Sequence, residues 1–190
     1  IGKNIFFGYY PERENPGDKN FSYQTTPKVV SGYTSACLEL VQNTYKIISK
    51  KVFSTNTLEE AETSKLLENL YRSINIGLVN EMKLICDRLK INVHKVIDTA
   101  STKNFGFQKF IPGPGLGGHC IPIDPYYLSW IAKKKGYVPQ MLKSAASINN
   151  NMPKLIINKI LKYFKKKPKI LIFGISYKKN VDDDRESPSF

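Results

Sequence analysis

The sequence predicts an α/β protein whose centre is mainly α-helical. Apolar residues recur at helical spacing through most of residues 57–167, whereas short strand-like stretches, NIFFGYY and KILIFGIS, stand near the two ends. A loop rich in glycine and proline, FIPGPGLGGHCIPIDP, interrupts the helices. We therefore expect the end of one α/β unit at 1–50, a central helical domain at 51–167 and the start of another α/β unit at 168–190, joined by a long central helix.

Length and composition narrow the class of protein. The 190 residues are 41% hydrophobic and 12% aromatic, enough to fill a core. Apolar runs such as ILIFGI are far shorter than the roughly 20 residues of a membrane-spanning helix, so no membrane segment is expected. The chain opens without methionine inside a strand-like pattern and stops soon after another one. We expect a piece of a longer, cytoplasmic protein.

The net charge of +13 raises the possibility of a nucleic-acid partner. Its lysine runs, at 133–135 and 165–167, fall at the predicted ends of helices, where cations complement the helix dipole and lie in solvent. No zinc-finger or RNA-binding sequence pattern accompanies them. The charge therefore favours attraction of a phosphorylated small molecule over nucleic-acid binding.

The first half of the chain is predicted to form a strand, a loop and three helices. The strand NIFFGYY leads into a loop through PERENPGD, and a helix is predicted over 34–50. Thr57 and Glu60 form a capping-box pattern that opens a helix extending to about Leu89. A short helix follows at about 92–100.

The second half begins with the glycine loop and continues with two helices and a strand. A helix over 125–136 is closed by Gly136, and a long helix over 139–167 is ended by Pro168. KILIFGIS, at 169–176, predicts a buried strand.

The three cysteines have different surroundings. Cys37 and Cys86 lie among apolar residues at helical spacing, as is typical of inert core thiols. Cys120 follows two glycines and His119 in the loop, where an exposed thiol can act as a nucleophile. Asp124 could orient or deprotonate a water there. We expect a structural role for His119, because adjacent side chains rarely form a catalytic pair, and the cysteine spacing matches no metal site.

Two further patterns could bind a ligand. Lys65 and Asn69 are four residues apart and so share a helix face, either as a solvated pair or as donors to an oxyanion. In the loop, Gly113, Gly115 and Gly117 allow a backbone to approach a ligand closely. The spacing imitates a dinucleotide fingerprint, but no strand precedes it and prolines follow it.

Four motifs together resemble the nucleotide-sugar 6-dehydrogenases of the UDP-glucose/GDP-mannose dehydrogenase family. They are YYPERENPGD, AETSKLLENLYRSINIGLVNE, PGPGLGGHCIPIDPYYL and FGISYKKNVDDDRESPSF, in the family's order and spread over the chain. The forms PERENPGD and PGPGLGGHCIPIDP are most similar to the bacterial branch that acts on UDP-N-acetylhexosamines, and they favour UDP-N-acetylglucosamine.

The resemblance implies a two-step oxidation of the sugar C6 alcohol to a carboxylate, with two NAD+ and a covalent thioester. Cys120 matches the nucleophile, and Lys65 and Asn69 match the pair that stabilises the oxyanion. Asp124 matches the aspartate beside the hydrolytic water, and Glu12 matches a glutamate that assists proton transfer and hydrolysis.

The same resemblance implies the binding residues. Arg185 and Ile123 match positions near NAD, and Tyr177 and Lys178 match positions at the nucleotide end of the substrate. The loop glycines Gly113, Gly115 and Gly117 match the segment that wraps the sugar and its phosphates.

The match also implies what accompanies this chain. Residues 1–50 resemble the end of the NAD-binding Rossmann-like domain, 51–167 the catalytic and dimerisation core, and 168–190 the start of the UDP-binding domain. We therefore expect a homodimer, a parent enzyme that makes precursors of surface polysaccharides, and little activity from the isolated chain.

Four alternatives stay open. The first concerns the substrate, which could be UDP-glucose, UDP-N-acetylmannosamine or UDP-N-acetylgalactosamine. Asn104 stands where the UDP-glucose branch has an arginine, which fits another substrate branch. A nucleotide-binding relative without activity, an acyl transfer without NAD and a nucleic-acid binder are the others.

Overall fold

The computed structural model describes residues 1–13, 15 and 20–190. The chain forms two compact units, Ile1–Glu68 and Asn69–Phe190. Part of the predicted PERENPGD loop, residues 14 and 16–18, lies outside the described residues. The fold is mostly helical with a small sheet, as the sequence predicts.

The first unit contains a three-stranded sheet with a helix packed on it. β1 (Gly8–Tyr9) pairs antiparallel with β2 (Lys28–Gly32), and β2 pairs parallel with β3 (Val52–Ser54). The strand predicted from NIFFGYY is thus only two residues long. β2 and β3 were not predicted, because strands of five and three residues are too short to show a clear alternation.

The helix α1 (Ser35–Ile48) connects β2 to β3 and confirms the helix predicted over 34–50. Its cap is Thr34, whose hydroxyl accepts a hydrogen bond from the Cys37 N–H at 3.2 Å. The Cys37 thiol is fully buried, as predicted. The sheet meets the helix closely at Gly32, where an added Cβ would lie 2.1 Å from the Leu38 nitrogen.

The helix α2 (Leu58–Leu89) begins in the first unit and continues into the second. The predicted capping box is present. The Glu60 N–H donates to the Thr57 hydroxyl at 3.1 Å, and the Thr57 N–H donates to the Glu60 carboxylate at 3.2 Å. These reciprocal bonds satisfy backbone groups that would otherwise lack partners at the start of the helix.

The second unit packs three further helices with α2: α3 (Val93–Ala100), α4 (Cys120–Lys134) and α5 (Gln140–Leu161). A buried apolar cluster joins α2 and α3, and its members are Val79, Cys86, Val93 and Ile97. Cys86 is therefore a core thiol, as predicted. At Gly77 an added Cβ would lie 3.2 Å from Ala145, so α2 and α5 are in close contact.

Two helix boundaries differ from the prediction. α4 begins at Cys120 and not at Pro125, so Pro125 lies inside the helix. Pro122 is tolerated because it falls in the first turn, where the missing N–H has no helical partner anyway. α5 ends at Leu161 and not at 167. In a continued helix Lys162 would face Lys165 and Lys166, three and four residues on, and like charges at these spacings oppose helix formation.

The buried strand predicted at 169–176 is wrong for this structure. These residues form no strand, and Phe173 is 89% exposed. A strand needs a neighbour to pair its backbone groups, and the sheet found in the described residues consists of β1, β2 and β3 alone. Residues 169–176 therefore have the apolar pattern of a strand but no partner strand among the described residues.

None of the helices in the described part of the chain combines the length and the apolar character that crossing a bilayer requires.

Candidate functional site

Cys120 is the first residue of α4 and is exposed. The sequence placed it within the glycine loop, whereas the structure places it where that loop becomes a helix. Gly118 makes the turn immediately before it, with φ of +83°, a region that favours glycine. The Gly118 N–H donates to the Arg185 carbonyl at 2.9 Å, which ties this turn to the segment that carries Arg185.

Tyr177 packs directly on the turn before Cys120. A Cβ added to Gly117 would lie 2.2 Å from the Tyr177 Cβ, and one added to Gly118 would lie 2.9 Å from the Tyr177 Cζ. Only glycine leaves room for this contact. The structure thus brings the predicted glycine loop and the predicted substrate residue Tyr177 together. Lys178 follows Tyr177 and is partly buried.

Arg185 is held in the same region by an acidic neighbour. Its guanidinium donates to both oxygens of Asp183, at 2.9 and 2.7 Å, and this contact lowers the pKa of Asp183 to about 2. Asp183 also raises the pKa of Arg185, with smaller contributions from Tyr177 and Cys120. The Arg185 side chain is nevertheless 62% exposed, so it could still contact an anion.

Asn69 and Asp124 form a second pair of predicted residues that the structure brings together. The Asn69 carboxamide donates to the Asp124 carboxylate at 2.6 Å. Asn69 is buried on α2, and Asp124 is partly buried one turn beyond Cys120 on α4. Ile123, the predicted cofactor contact, is partly buried in the first turn of α4.

A buried hydrogen-bond network, which was not predicted from the sequence, anchors the start of the glycine loop. The Gly113 N–H donates to the Asn80 side-chain oxygen at 2.9 Å. The Asn80 amide donates to Asn149 at 2.9 Å, and the Asn149 amide donates to the Ser73 carbonyl at 3.1 Å. Asn80 and Asn149 are 0% and 1% exposed. The sequence shows only an asparagine within an apolar helical pattern, and such a pattern does not identify the hydrogen-bond partner.

Glu12 and Lys65 belong to the first unit. Glu12 is exposed and accepts hydrogen bonds from the Tyr10 hydroxyl at 3.1 and 3.2 Å and from the Arg13 N–H at 2.7 Å. Lys65 is partly buried on α2, one turn before Asn69. The spacing that places Lys65 and Asn69 on one helix face is therefore realised in a continuous helix.

The chain is similar to several curated proteins over nearly its whole length. It is 38% identical to protein CapL of Staphylococcus aureus, with 98% of this chain and 45% of that protein aligned. It is 35% identical to a UDP-N-acetyl-D-glucosamine 6-dehydrogenase of Pseudomonas aeruginosa, over 98% of this chain and 46% of that protein. The chain thus spans less than half the length of these relatives.

A solved structure has the same fold. The UDP-N-acetyl-mannosamine dehydrogenase Cap5O from Staphylococcus aureus superimposes with a TM-score of 0.81 at 35% identity, covering 100% of this chain and 44% of that one. Residues 59–151 match the central domain of the UDP-glucose/GDP-mannose dehydrogenase family. This match contains Lys65, Asn69, Cys120 and Asp124. The chain belongs to the UDP-glucose/GDP-mannose dehydrogenase family.

Proposed function

We propose that this chain carries the reacting thiol of an NAD-dependent dehydrogenase that oxidises the C6 alcohol of a UDP-N-acetylhexosamine to a uronic acid. The observation that carries the proposal is the exposed Cys120 thiol at the start of α4, beside the glycine turn and one helical turn before Asp124. In this proposal 1–50 ends an NAD-binding domain, 51–167 is the catalytic core and 168–190 opens a UDP-binding domain.

The substrate proposal is UDP-N-acetylglucosamine, for synthesis of a surface polysaccharide precursor. Relatives of comparable identity are named for the glucosamine and for the mannosamine sugar. UDP-N-acetylmannosamine is therefore the second candidate. The two sugars share the UDP group and the C6 alcohol, so the residues around Cys120 would perform the same chemistry on either.

Cys120 supplies the nucleophile. Its sulfur adds to the C6 aldehyde formed by the first oxidation, and the resulting thiohemiacetal is oxidised to a thioester. Negative charge that develops at this residue lies at the amino-terminal end of α4, where backbone N–H groups and the helix dipole stabilise anions. Lys65 and Asn69 are proposed as further donors to the oxyanion.

Hydrolysis of the thioester requires an oriented water and a proton acceptor. Asp124 is proposed to orient the water, since its carboxylate is held by Asn69 and keeps a second oxygen for another hydrogen bond. Glu12 is proposed to accept the proton. The C–S bond breaks, its electron pair returns to the Cys120 sulfur, and the acid leaves.

The chain offers a cation and an apolar side chain suited to a dinucleotide. The exposed Arg185 guanidinium fits a diphosphate, and Ile123 in the first turn of α4 offers an apolar contact. When bound, NAD+ accepts hydride, so that one alcohol, two NAD+ and one water give one carboxylate, two NADH and three protons. Tyr177 and Lys178 are proposed to bind the nucleotide end of the UDP-sugar, and the loop at Gly113, Gly115 and Gly117 to wrap it.

A second copy of the chain is the partner that we propose for α2. Tyr71, Leu78, Ile85 and Leu89 are between 43% and 62% exposed and recur every four or seven residues, which forms an apolar stripe along the helix. Replacing Leu78 with Glu should dissociate the dimer, measured by light scattering of the full-length protein. The control is Glu81→Gln, a polar substitution at an exposed position of the same helix.

The decisive experiment measures alkylation of each cysteine by peptide mapping in the full-length protein that contains this chain. Cys120 should label fast and be protected by UDP-N-acetylglucosamine, whereas buried Cys37 and Cys86 serve as internal controls that label slowly. Turnover should yield two NADH per uronic acid. Equal labelling of all three thiols, unaffected by the ligand, would contradict the role of Cys120.

A further inference from the structure

Lys28, the first residue of β2, is a buried cation in the first unit. The residue is 0% exposed, although a charge in the protein interior is costly without compensating partners. Its ammonium lies 3.3 Å from the centroid of the Tyr23 ring and 5.1 Å from that of Tyr10. It also donates a hydrogen bond to the Tyr10 hydroxyl at 2.8 Å. Aromatic faces and one hydroxyl thus contribute to its stabilisation.

Tyr10 connects this buried cation to the surface. Its hydroxyl oxygen accepts from Lys28, and its proton is directed to the two carboxylate oxygens of Glu12 at 3.1 and 3.2 Å. The pKa of Tyr10 is raised well above its usual range. Burial is the largest cause, and the Glu12 carboxylate is the next. Tyr10 therefore stays protonated and acts as a hydrogen-bond donor. Its ring is also fixed by Tyr45, with the centroids 4.5 Å apart.

Glu12 is held from a second direction by Arg13. The Arg13 N–H donates to Glu12 at 2.7 Å. The Arg13 side chain is itself anchored, because its guanidinium pairs with Glu68 at 2.6 Å and donates to the Pro27 carbonyl at 3.0 Å. Among the described residues, the Tyr10 hydroxyl and the Arg13 N–H therefore hold an exposed carboxylate that would ordinarily sample several rotamers.

We propose that Lys28 and Tyr10 are positioning residues that hold the Glu12 carboxylate ready to accept a proton during hydrolysis of the acyl-enzyme. The proposal rests on the proposed function of the full-length protein. The Lys28 ammonium polarises the Tyr10 O–H bond, which strengthens the hydrogen bond that Tyr10 donates to Glu12. In the step concerned, the water oxygen bonds to the acyl carbon, one water proton passes to Glu12, and the C–S bond to Cys120 breaks.

The test uses Tyr10→Phe in the full-length protein, with NAD+ and UDP-N-acetylglucosamine. This change keeps the ring against Lys28 and Tyr45 but removes the hydroxyl. Turnover should fall roughly tenfold with little change in KM, since misplacing a general base costs part of its usual contribution of 10²–10⁴. Intact-protein mass spectrometry during turnover should show an acyl adduct on Cys120 that wild type does not accumulate.

Three further variants separate positioning from folding. Lys28→Met should accumulate the same adduct, and Lys28→Arg, which keeps the charge and donors, should restore most of the turnover. Tyr45→Phe removes a hydroxyl that interacts with Tyr23, but it keeps the ring beside Tyr10 and leaves the Tyr10–Glu12 hydrogen bonds in place, so it should keep wild-type turnover. If Lys28→Met fails to fold, Tyr10→Phe decides the question alone.

Each outcome separates this inference from the proposed function. If Tyr10→Phe and Tyr45→Phe lower the melting temperature and the rate alike, with no adduct, the positioning role is overturned. If Glu12→Gln and Cys120→Ser abolish turnover while Tyr10→Phe matches wild type, only this inference fails. If Cys120→Ser retains normal turnover, the proposed function itself fails.

Discussion

The Asn69 carboxamide donates a hydrogen bond of 2.6 Å to the Asp124 carboxylate and so joins α2 to α4. Asn69 is only 7% exposed, which limits competition from water. Cys120 and Asp124 are four residues apart in α4, and such positions share one face of a helix. A bond that fixes Asp124 therefore also helps to fix the face of α4 that presents the thiol.

The Asn69–Asp124 bond should be measurable as a coupling energy. We expect a double-mutant cycle with Asn69→Ala, Asp124→Ala and the double variant to give about 1.5–3 kcal/mol, the range for a hydrogen bond to a charged group. Urea denaturation of the four proteins measures the free energies of unfolding. Additive single-variant effects would show that the two side chains do not interact in solution.

Two glycines of the same loop should respond differently to alanine. In Gly117→Ala the new Cβ would lie 2.2 Å from Tyr177, so we expect a loss of about 1–3 kcal/mol from overpacking. Gly113→Ala meets no atom within 4 Å and should change stability by less than about 0.5 kcal/mol. Thermal denaturation compares the two. Equal melting temperatures would contradict the contact of Tyr177 with the loop.

The sequence predicted features that depend on local pattern. The capping box at Thr57, the length of α2 and the buried state of Cys37 and Cys86 follow from side-chain type and helical period, and the structure confirms them. The position of Lys65 and Asn69 on one helix face is also a local property, because it follows from their spacing.

Features that depend on distant partners could not be predicted in this way. The Asn69–Asp124 bond joins residues 55 positions apart, and the Asn80–Asn149 bond joins residues 69 apart. No periodicity encodes such pairs. At 169–176 the local pattern predicted a strand, but strand formation also needs a neighbouring strand, which local sequence does not supply.

Stability should depend on pH through Asp87, which links α2 to α5. The Lys159 ammonium donates to Asp87 at 2.9 Å, Lys83 also pairs with it, and both lower the pKa of the Asp87 carboxyl below 3.8. A carboxyl with a lowered folded-state pKa stabilises the fold at pH values above the unfolded pKa. That contribution is lost as the pH falls through the lower folded value.

Asp87→Asn should therefore lower the melting temperature at pH 7 and have a diminishing effect below about pH 4. The pair is partly exposed, so added salt should reduce the difference at pH 7. Glu81→Gln removes a negative charge from the same helix and serves as the control. A difference between wild type and Asp87→Asn that persists unchanged at pH 2.5 would show that the effect is not electrostatic.

The buried asparagines should control the order of the glycine loop. Asn80→Ala leaves the Gly113 N–H and the side-chain oxygen of the buried Asn149 without their partner, so we expect a loss of about 2–4 kcal/mol. Hydrogen exchange at 113–118 should accelerate, because the loop loses its anchor to α2. Asn75→Ala on the same helix, whose side chain bonds only one turn back to the Tyr71 carbonyl, is the control and should change neither quantity much. Unchanged exchange in the loop of Asn80→Ala, despite lower global stability, would show that the loop is held by Tyr177 and Arg185 alone.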